Sequence, residues 1–389
     1  MNYRLSKRKG TDFGLLLAIL RLARYLVLTN ESMDFPWEHL KACIRRLDNN
    51  RLPRSLEVMP GGASTRRFVR VHFESGTSAV AMYFPEATKS DELSKHVASV
   101  DRWPYLQVHD LLSACKVAIP RIIAEDCDHG LLLVEDLGDD TLSNYLERVP
   151  EARHELYQTA IRDLARAQLA FLSVDGRSIV NQRAFDYDLL RCEVEHFRQW
   201  ALIAQGIQLS LAELDAFEKA ATHIAREAEG WPRVFVHRDY QSRNLMVRPL
   251  PDGRHELVWI DFQDALQGPR VYDLVALLND SYQTFTPDFI NQRLMEYAHL
   301  SGLGPQQLGQ IRYEFDWMTV QRKLKDAGRF VYIDRVKGNS SFMRFVLPTM
   351  AKVQVALANL KCDPVMRALA DCFEIWFQTI RHNQDRSRS

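Results

Sequence analysis

Apolar residues near the amino end, Leu16, Ile19, Leu20, Ala23, Leu26 and Val27, recur at helical spacing with Arg21 and Arg24 between them. That pattern predicts an amphipathic helix packed on the body or on a partner. From about Leu56 the texture turns strand-like. Ser55–Met59, Phe68–Phe73 and Ser78–Phe84 read as strands; Gly61 and Gly62 break the first, and Glu74–Thr77 turns the chain between the other two. Pro85 ends the third strand, because proline has no N–H to give to a ladder. Helices are predicted over Lys89–Val100 and Tyr105–Lys116, then strands over Ile119–Ala124 and Leu131–Val134 joined by Asp126–Gly130. Glu135–Gly138 reads as a connector. Beyond it the spacing is helical from Thr141 to about Glu229, with breaks near Gly176 and Gly206, and again over about 271–382. Two short apolar runs, Val234–Val236 and Leu257–Ile260, separate the helical stretches, and each leads directly into a polar, acidic loop. The order of elements predicts an α+β chain in three parts: a helical extension over 1–54, a small sheet lobe over 55–136 and a mostly helical lobe over 137–389.

Composition sets limits. Of 389 residues, 46 % are apolar and 26 % charged, which is ordinary for a globular chain and sets aside disorder, collagen-like repeats and coiled coil. Lys plus Arg is 50 and Asp plus Glu is 50, so no overall basic field supports a nucleic-acid or polybasic membrane partner. A local basic patch around one anionic ligand is still compatible. The cysteines, Cys43, Cys115, Cys127, Cys192, Cys362 and Cys372, form no C-x-x-C pair and read as reduced thiols of a cytoplasmic protein. Arg4, Lys7, Arg8 and Lys9 ahead of the apolar run Phe13–Leu20 imitate the start of a signal peptide, but Arg21 and Arg24 cut the run short and no small-x-small cleavage pattern follows. The run is well under the roughly 18–20 residues of a spanning helix, so no integral membrane segment is expected. A secretion signal or a helix lying on a membrane surface is the alternative to a packed helix.

The chemistry concentrates in two loops. His237-Arg238-Asp239-Tyr240-Gln241-Ser242-Arg243-Asn244 fits the pattern H-x-D-x-x-x-x-N, and Asp261-Phe262-Gln263 begins 17 residues after Asn244. Phosphoryl transfer needs a carboxylate near the attacking hydroxyl, which Asp239 can supply. It also needs hard oxygen ligands for Mg²⁺ on the nucleotide phosphates, which Asn244 and Asp261 can supply. One loop can present both the base and a ligand, while Asp261 ends a separate strand and would approach from the side. His237 is expected to brace the loop rather than to titrate in catalysis. The alternative is that these are ordinary turn residues, since Asp and Asn favour turns for local hydrogen-bonding reasons. Three at these spacings, each following an apolar strand run, count against it.

These residues, together with Asp264 and with Gly268-Pro269-Arg270-Val271-Tyr272-Asp273-Leu274, resemble the aminoglycoside phosphotransferase-like small-molecule kinases. The text V-H-R-D-Y-x-x-R-N-L-M, then I-D-F-Q-D-A, then G-P-x-x-Y-D, is similar to the bacterial anomeric kinases of N-acetylmuramate and N-acetylglucosamine in cell-wall recycling. Val320-Gln321-Arg322-Lys323-Leu324-Lys325 resembles a C-terminal element of that branch. The resemblance covers about Leu56 to Leu360. It implies a protein-kinase-like two-lobed fold with a small antiparallel β-sheet N-lobe and a mostly helical C-lobe, ATP and Mg²⁺ as cofactors, and a small-molecule acceptor, an amino sugar. It makes Asp239 the catalytic base beside His237, and Asn244 and Asp261 the metal ligands. Asp273 would hold the catalytic loop from a helix start, or serve as a plain N-cap. The loop from Gly61 through Ser64 and Thr65 would lay N–H groups over the phosphates, or be a simple hairpin turn. Glu135 to Leu137 would offer main-chain groups to adenine.

One departure stands out. The third strand of many kinases carries a lysine that reaches the phosphates, and Ser78–Phe84 has none, with Met82 near the expected place. Arg66, Arg67 and Arg70 could replace that charge, since a planar guanidinium suits phosphate; the plainer reading is solvated charge on a hairpin. For the acceptor, Gln263 and Asp264 follow the metal loop, and Arg243, Arg322 and Lys325 could supply positive charge for a lactyl-ether carboxylate. Arg322 and Lys325 share a helix face, where surface charge is the commoner explanation. Tyr240, Tyr282 and Trp317 could stack on a sugar or fill the core. The expected activity is ATP-dependent phosphorylation of a small-molecule hydroxyl. The rivals are another metabolite or aminoglycoside acceptor, and a nucleotide-binding scaffold without turnover.

Overall fold

The computed structural model describes residues 35–47, 52–60, 65–85 and 103–388. The helix expected around Leu16–Val27, the helix expected over Lys89–Val100, and the turn from Gly61 to Ser64 lie outside the described residues. The chain divides into two compact units, Met1–Lys95 with Pro120–Gly138 and His96–Ile119 with Asp139–Ser389.

The first unit holds helix α1 (Trp37–Arg45) and strands β1 (Pro53–Val58), β2 (Arg67–Phe73), β3 (Ser78–Tyr83), β4 (Ile122–Asp126) and β5 (Leu131–Glu135). The strands form one sheet in the order β1-β2-β3-β5-β4, with every pairing antiparallel. Alternation along the strands puts Val69, Val71 and Phe73 on the same face as Ala79, Ala81, Leu131 and Leu133. Leu40, Cys43 and Ile44, one stripe of α1, close that face into a core. The described part of the 1–54 segment is thus a layer of the sheet's own core rather than a separate extension. Between β4 and β5 the chain makes a 3₁₀ turn, Cys127–His129, that ends at Gly130 with φ 72°. A Cβ there would lie 2.6 Å from the Phe84 carbonyl oxygen, so both the backbone angle and the available space demand glycine.

The second unit contains α2 (Pro104–Ala114), α3 (Leu142–Arg148), α4 (Arg153–Phe171), α5 (Tyr187–His196) and α6 (Leu211–Glu229). Four short strands follow, β6 (Arg233–Val236), β7 (Leu245–Pro249), β8 (His255–Trp259) and β9 (Leu266–Pro269). The chain ends with α7 (Tyr272–Leu278), α8 (Pro287–Leu300), α9 (Pro305–Lys337), α10 (Val346–Asn359) and α11 (Pro364–Arg388). The sequence grouped α2 with the sheet lobe; instead it belongs to the helical unit, its Tyr105 ring 4.8 Å from that of Phe262. Strands β7 and β9 fall where the sequence reads as loop. β6 pairs with β9 and β7 with β8, so the β7–β8 hairpin is nested within the β6–β9 pair along the chain. No helix among the described residues is long and apolar enough to cross a membrane, and the six cysteines are free thiols.

Helix α9 packs closely against the end of α5, where a single π-helical stretch, Phe197–Leu202, continues the chain. Contact at that crossing depends on Gly328, whose added Cβ would lie 2.2 Å from the His196 carbonyl oxygen and 2.7 Å from the Phe197 nitrogen. Backbone cannot yield there as a flexible side chain could. Gly328→Ala is therefore expected to destabilise the protein by about 2–3 kcal/mol despite the better helix propensity of alanine. Urea denaturation checks this; an unchanged midpoint would show that the helices separate at no cost.

Candidate active site

Strand pairing decides where the two reactive loops emerge. Val236, the last residue of β6, faces Leu266, the first of β9, and Leu245, the first of β7, faces Trp259, the last of β8. The loops 237–244 and 260–265 thus leave the two ladders at matching ends. A hydrogen bond ties them directly, the Ile260 N–H donating to the Asn244 carbonyl at 3.0 Å. Asp261 follows a separate strand, β8, as its place in the sequence suggested. It follows the hydrogen-bonded partner of the strand that Asn244 opens.

The first loop is fixed from below by α7. Asp273, fully buried, accepts the backbone N–H groups of His237 at 2.6 Å and Arg238 at 3.1 Å. Val271 holds the N-cap position of α7, so Asp273 is not a cap; its carboxylate serves the loop. Burial pushes this carboxyl up to about 7, against the pull of the two N–H bonds. Asp280, just beyond α7, accepts the N–H and hydroxyl of Ser242 at 2.9 and 2.5 Å. Lys352 of α10 in turn donates to the carbonyls of Asp280 and Gln283. The Tyr240 hydroxyl donates to the Ala160 carbonyl of α4 at 2.9 Å, and its ring packs on Trp259 and His237. Burial pushes the His237 imidazole below its ordinary value, so it is neutral; its Nδ1 accepts the Asp239 N–H at 3.3 Å. Arg238 and Asp261 hold left-handed backbone angles, φ 79° and 63°, a strained choice for residues with a Cβ and one that tight supporting contacts must hold in place.

Charge around Asp239 is supplied by α9. Arg322 is buried, with its Nη1 donating to the Arg238 carbonyl at 2.6 Å and its Nη2 to Asp239 Oδ1 at 3.2 Å, over the ring of Tyr272. It is neither a surface helix charge nor open to solvent; it backs the loop. Lys325 Nζ lies 3.3 Å from the Tyr272 hydroxyl and 3.8 Å from Glu193 Oε1, and Lys323 donates to Asp326 at 2.8 Å. Glu193 of α5, buried, accepts from Arg238 at 3.2 Å and Gln321 at 3.1 Å. Asp239 keeps its side chain 41 % exposed. Burial works to raise its pKa, but Lys325, Arg322 and Arg238 outweigh burial and hold the carboxyl below the usual range.

The oxygen donors expected for a metal converge on this end of the ladders. Asn244 Nδ2 donates to the Asp239 carbonyl at 2.9 Å, and only the amide nitrogen can do so, which leaves Oδ1 as the outward donor. Gln263 Nε2 bridges Asp261 Oδ1 at 3.1 Å and Asp264 Oδ2 at 2.9 Å, and the Gln263 carbonyl accepts from Arg183 at 3.0 Å. An amide oxygen and a carboxylate suit a hard divalent cation such as Mg²⁺. Arg243 lies flat on the Tyr282 ring, 3.6 Å from its centroid. Tyr240 and Trp317, considered for stacking on a sugar, are wholly buried in the core.

In the sheet unit, Thr65 is exposed, Arg66 lies 6.0 Å over the Phe84 ring, and Arg67 opens β2 opposite Tyr83. Arg70 is committed elsewhere, its Nε 2.8 Å from Asp136. Met82 is buried between Phe68 and Leu132, so no cation stands at that place on β3. Glu135 ends β5 with its carboxylate accepting the Arg121 N–H and Nε–H, and Leu137 follows in the connector that Asp136 turns by accepting the Gly138 N–H. Sequence reasoning assigned no role to Glu193, Asp280 or Lys352. The signal for Glu193 was present, since it shares the stripe of α5 that buries Leu190 and Val194.

Residues 55–309 match the phosphotransferase enzyme family, and the chain belongs to it. It is 33 % identical over 261 residues to the N-acetylmuramate/N-acetylglucosamine kinase of Pseudomonas aeruginosa, covering 66 % of this chain and 73 % of that one. It is 33 % identical over 275 residues to the kinase of the same name from Neisseria meningitidis, covering 69 % and 75 %. Among solved structures it resembles an aminoglycoside 2'-phosphotransferase in complex with GDP, with TM-score 0.56, 14 % identity and coverage of 84 % and 99 %. It also resembles a Plasmodium vivax ethanolamine kinase, with TM-score 0.52, 13 % identity and coverage of 94 % and 98 %.

Two outcomes follow from the loop supports. Asp273→Ala leaves two buried N–H groups without an acceptor and is expected to cost about 2–4 kcal/mol in denaturant titration, with phosphotransfer lost. Arg322→Met removes a cation that opposes burial at Asp239. The native carboxyl of Asp239 lies below its unfolded value, so its stabilising contribution is present above the unfolded pKa and is lost as pH falls through the native one. In Arg322→Met that loss moves to higher pH, and the acid limb of the kcat/KM profile should move up by roughly one pH unit. An acid limb that stays in place would remove Arg322 from the control of Asp239.

Proposed function

We propose that the chain is an ATP- and Mg²⁺-dependent sugar kinase that phosphorylates the anomeric hydroxyl of N-acetylmuramate or N-acetylglucosamine, giving ADP and the sugar 1-phosphate. The observation that supports the chemistry is the tie from Ile260 to Asn244, which joins the loop carrying Asp239 and Asn244 to the loop carrying Asp261. Support for the acceptor comes from the names of the relatives that share a third of the aligned residues.

In this reading Oδ1 of Asp239 is fixed by Arg322, and Oδ2 accepts a hydrogen bond from the acceptor hydroxyl. The hydroxyl oxygen bonds to the γ-phosphorus, the bond to the β–γ bridging oxygen breaks, and ADP leaves with that electron pair. The hydroxyl proton passes late to Asp239, as a loose transition state requires little base strength. Mg²⁺, when bound by Asn244 and Asp261, supplies neutralising charge to the phosphate oxygens. Neutral His237 braces the loop. Thr65, Arg66 and Arg67, with Ser64, serve the nucleotide phosphates in the place of a β3 lysine, and the main chain from Glu135 to Leu137 serves the base. Arg243, Gln263 and Asp264 contact the acceptor, and Arg322 acts on it through the loop. The reduced cysteines suit a cytoplasmic location.

An ADP-release assay with Mg²⁺ and ATP against N-acetylmuramate, N-acetylglucosamine, glucose and kanamycin tests this directly. Release is expected with the two amino sugars and to be abolished in Asp239→Ala, with the variant's fold and nucleotide affinity retained. Release only with kanamycin would overturn the acceptor. Nucleotide binding with no release on any acceptor would favour a scaffold, in keeping with the missing β3 lysine.

A further inference from the structure

We propose that His39, Asp126 and His129 form a zinc-binding site that fastens α1 to the turn between β4 and β5. The three come from two stretches of the first unit: His39 from α1, and Asp126 with His129 from the end of β4 and the 3₁₀ turn that follows it directly. Both imidazoles present Nδ1 to the one carboxylate. His39 Nδ1 is 3.4 Å from Asp126 Oδ2, and His129 Nδ1 is 2.8 Å from Asp126 Oδ1. The ligand atoms of the trio all lie within 4.8 Å of one another. A tetrahedral zinc with bonds of about 2.0–2.1 Å holds neighbouring donors about 3.4 Å apart. The two rings stack with centroids 3.4 Å apart, and their side chains are 40 % and 46 % exposed, so they have room to turn and aim both Nδ1 atoms at one ion.

The donor set selects the ion. Two imidazole nitrogens and one carboxylate, with a fourth position left to water, suit zinc; calcium and magnesium prefer oxygen throughout. Without an ion the trio is held by its own contacts to the Asp126 carboxylate. The Arg46 guanidinium stands 4.0 Å from Asp126 Oδ2, the far limit of an ion pair, on a side chain 65 % exposed, and can yield to a dication.

The placement also explains a need. Helix α1 has nine residues and no side-chain N-cap, too short to persist by its own hydrogen bonds. Its hold on the sheet rests on Leu40, Cys43 and Ile44, and a metal bridge on the adjoining edge would lock the same contact from outside.

The test strips the full-length protein with a chelator and titrates Zn²⁺ against a chromophoric competitor. One tight zinc per chain is expected, with a rise in Tm at saturating Zn²⁺. Co²⁺ in its place should give the visible bands of a tetrahedral site. His39→Gln and His129→Gln each abolish the tight site and the Co²⁺ bands, while their metal-free Tm and circular dichroism match the metal-free wild type. Equal zinc affinity in the wild type and in the double variant, or no binding until millimolar Zn²⁺, would overturn the proposal and leave the trio a hydrogen-bonded cluster.

Discussion

The carboxylate of Asp273 receives two consecutive backbone N–H groups, and the placing of the reactive loop follows from that pair of bonds. Successive amides can converge on one carboxylate where the chain changes hand, and Arg238 does so with its left-handed φ. The strain this costs is offset by the bonds it permits. Once Arg238 is turned, its carbonyl meets Arg322 and its guanidinium meets Glu193. The next residue, Asp239, then stands where α9 can charge its surroundings. A helix start, a loop and a distant helix are thus coupled through one buried carboxyl.

The charges behind that loop are numerous and mostly buried: Glu193, Arg238, Arg322, Lys323, Lys325 and Asp326. Burying ions is expensive, and apolar residues of similar volume often give equal or greater stability. The cluster therefore contributes position more than stability. Each charge has a fixed partner, and together they leave Asp239 as the partly exposed carboxylate of the group. Asp326 is held far below the usual carboxylate range, with burial opposing and Lys323, Arg322 and Lys325 prevailing, so it keeps its own charge near neutral pH.

Much of the fold was legible because local pattern and tertiary role agree. The strands of the first sheet alternate or run apolar, with glycine, proline and short polar turns at their ends. The H-x-D-x-x-x-x-N and D-F-Q texts were visible because phosphoryl-transfer chemistry restricts residue type and spacing together. What escaped had a common cause in long-range pairing. β9 contains Gly268 and Pro269 and is four residues long, so nothing local marks it as a strand; it exists because β6 offers it partners. Without β7 and β9, Asp261 could not be seen to share an end with Asn244. For Arg322 the plainer alternative, a surface charge, fails for a related reason. A charged residue on a helix is usually solvated, and only the burial of Gln321, Arg322 and Lys323 in succession reveals that α9 is covered on all sides at this point. The same holds for α1, whose core role depends on a sheet that begins after it.

The nested hairpin has a second end, far along the ladder from Asn244 and Ile260. There residues 251–254 form an exposed turn, with Gly253 at φ 82° and Arg254 folded back on Asp252. Asn244 precedes this turn and Asp261 follows it, while five paired positions join β7 to β8. The reactive arrangement is therefore a property of strand pairing and not of chain continuity. Two polypeptides divided at Gly253 would separate Asn244 from Asp261, and only the ladder of β7 and β8 would bring them back to one end.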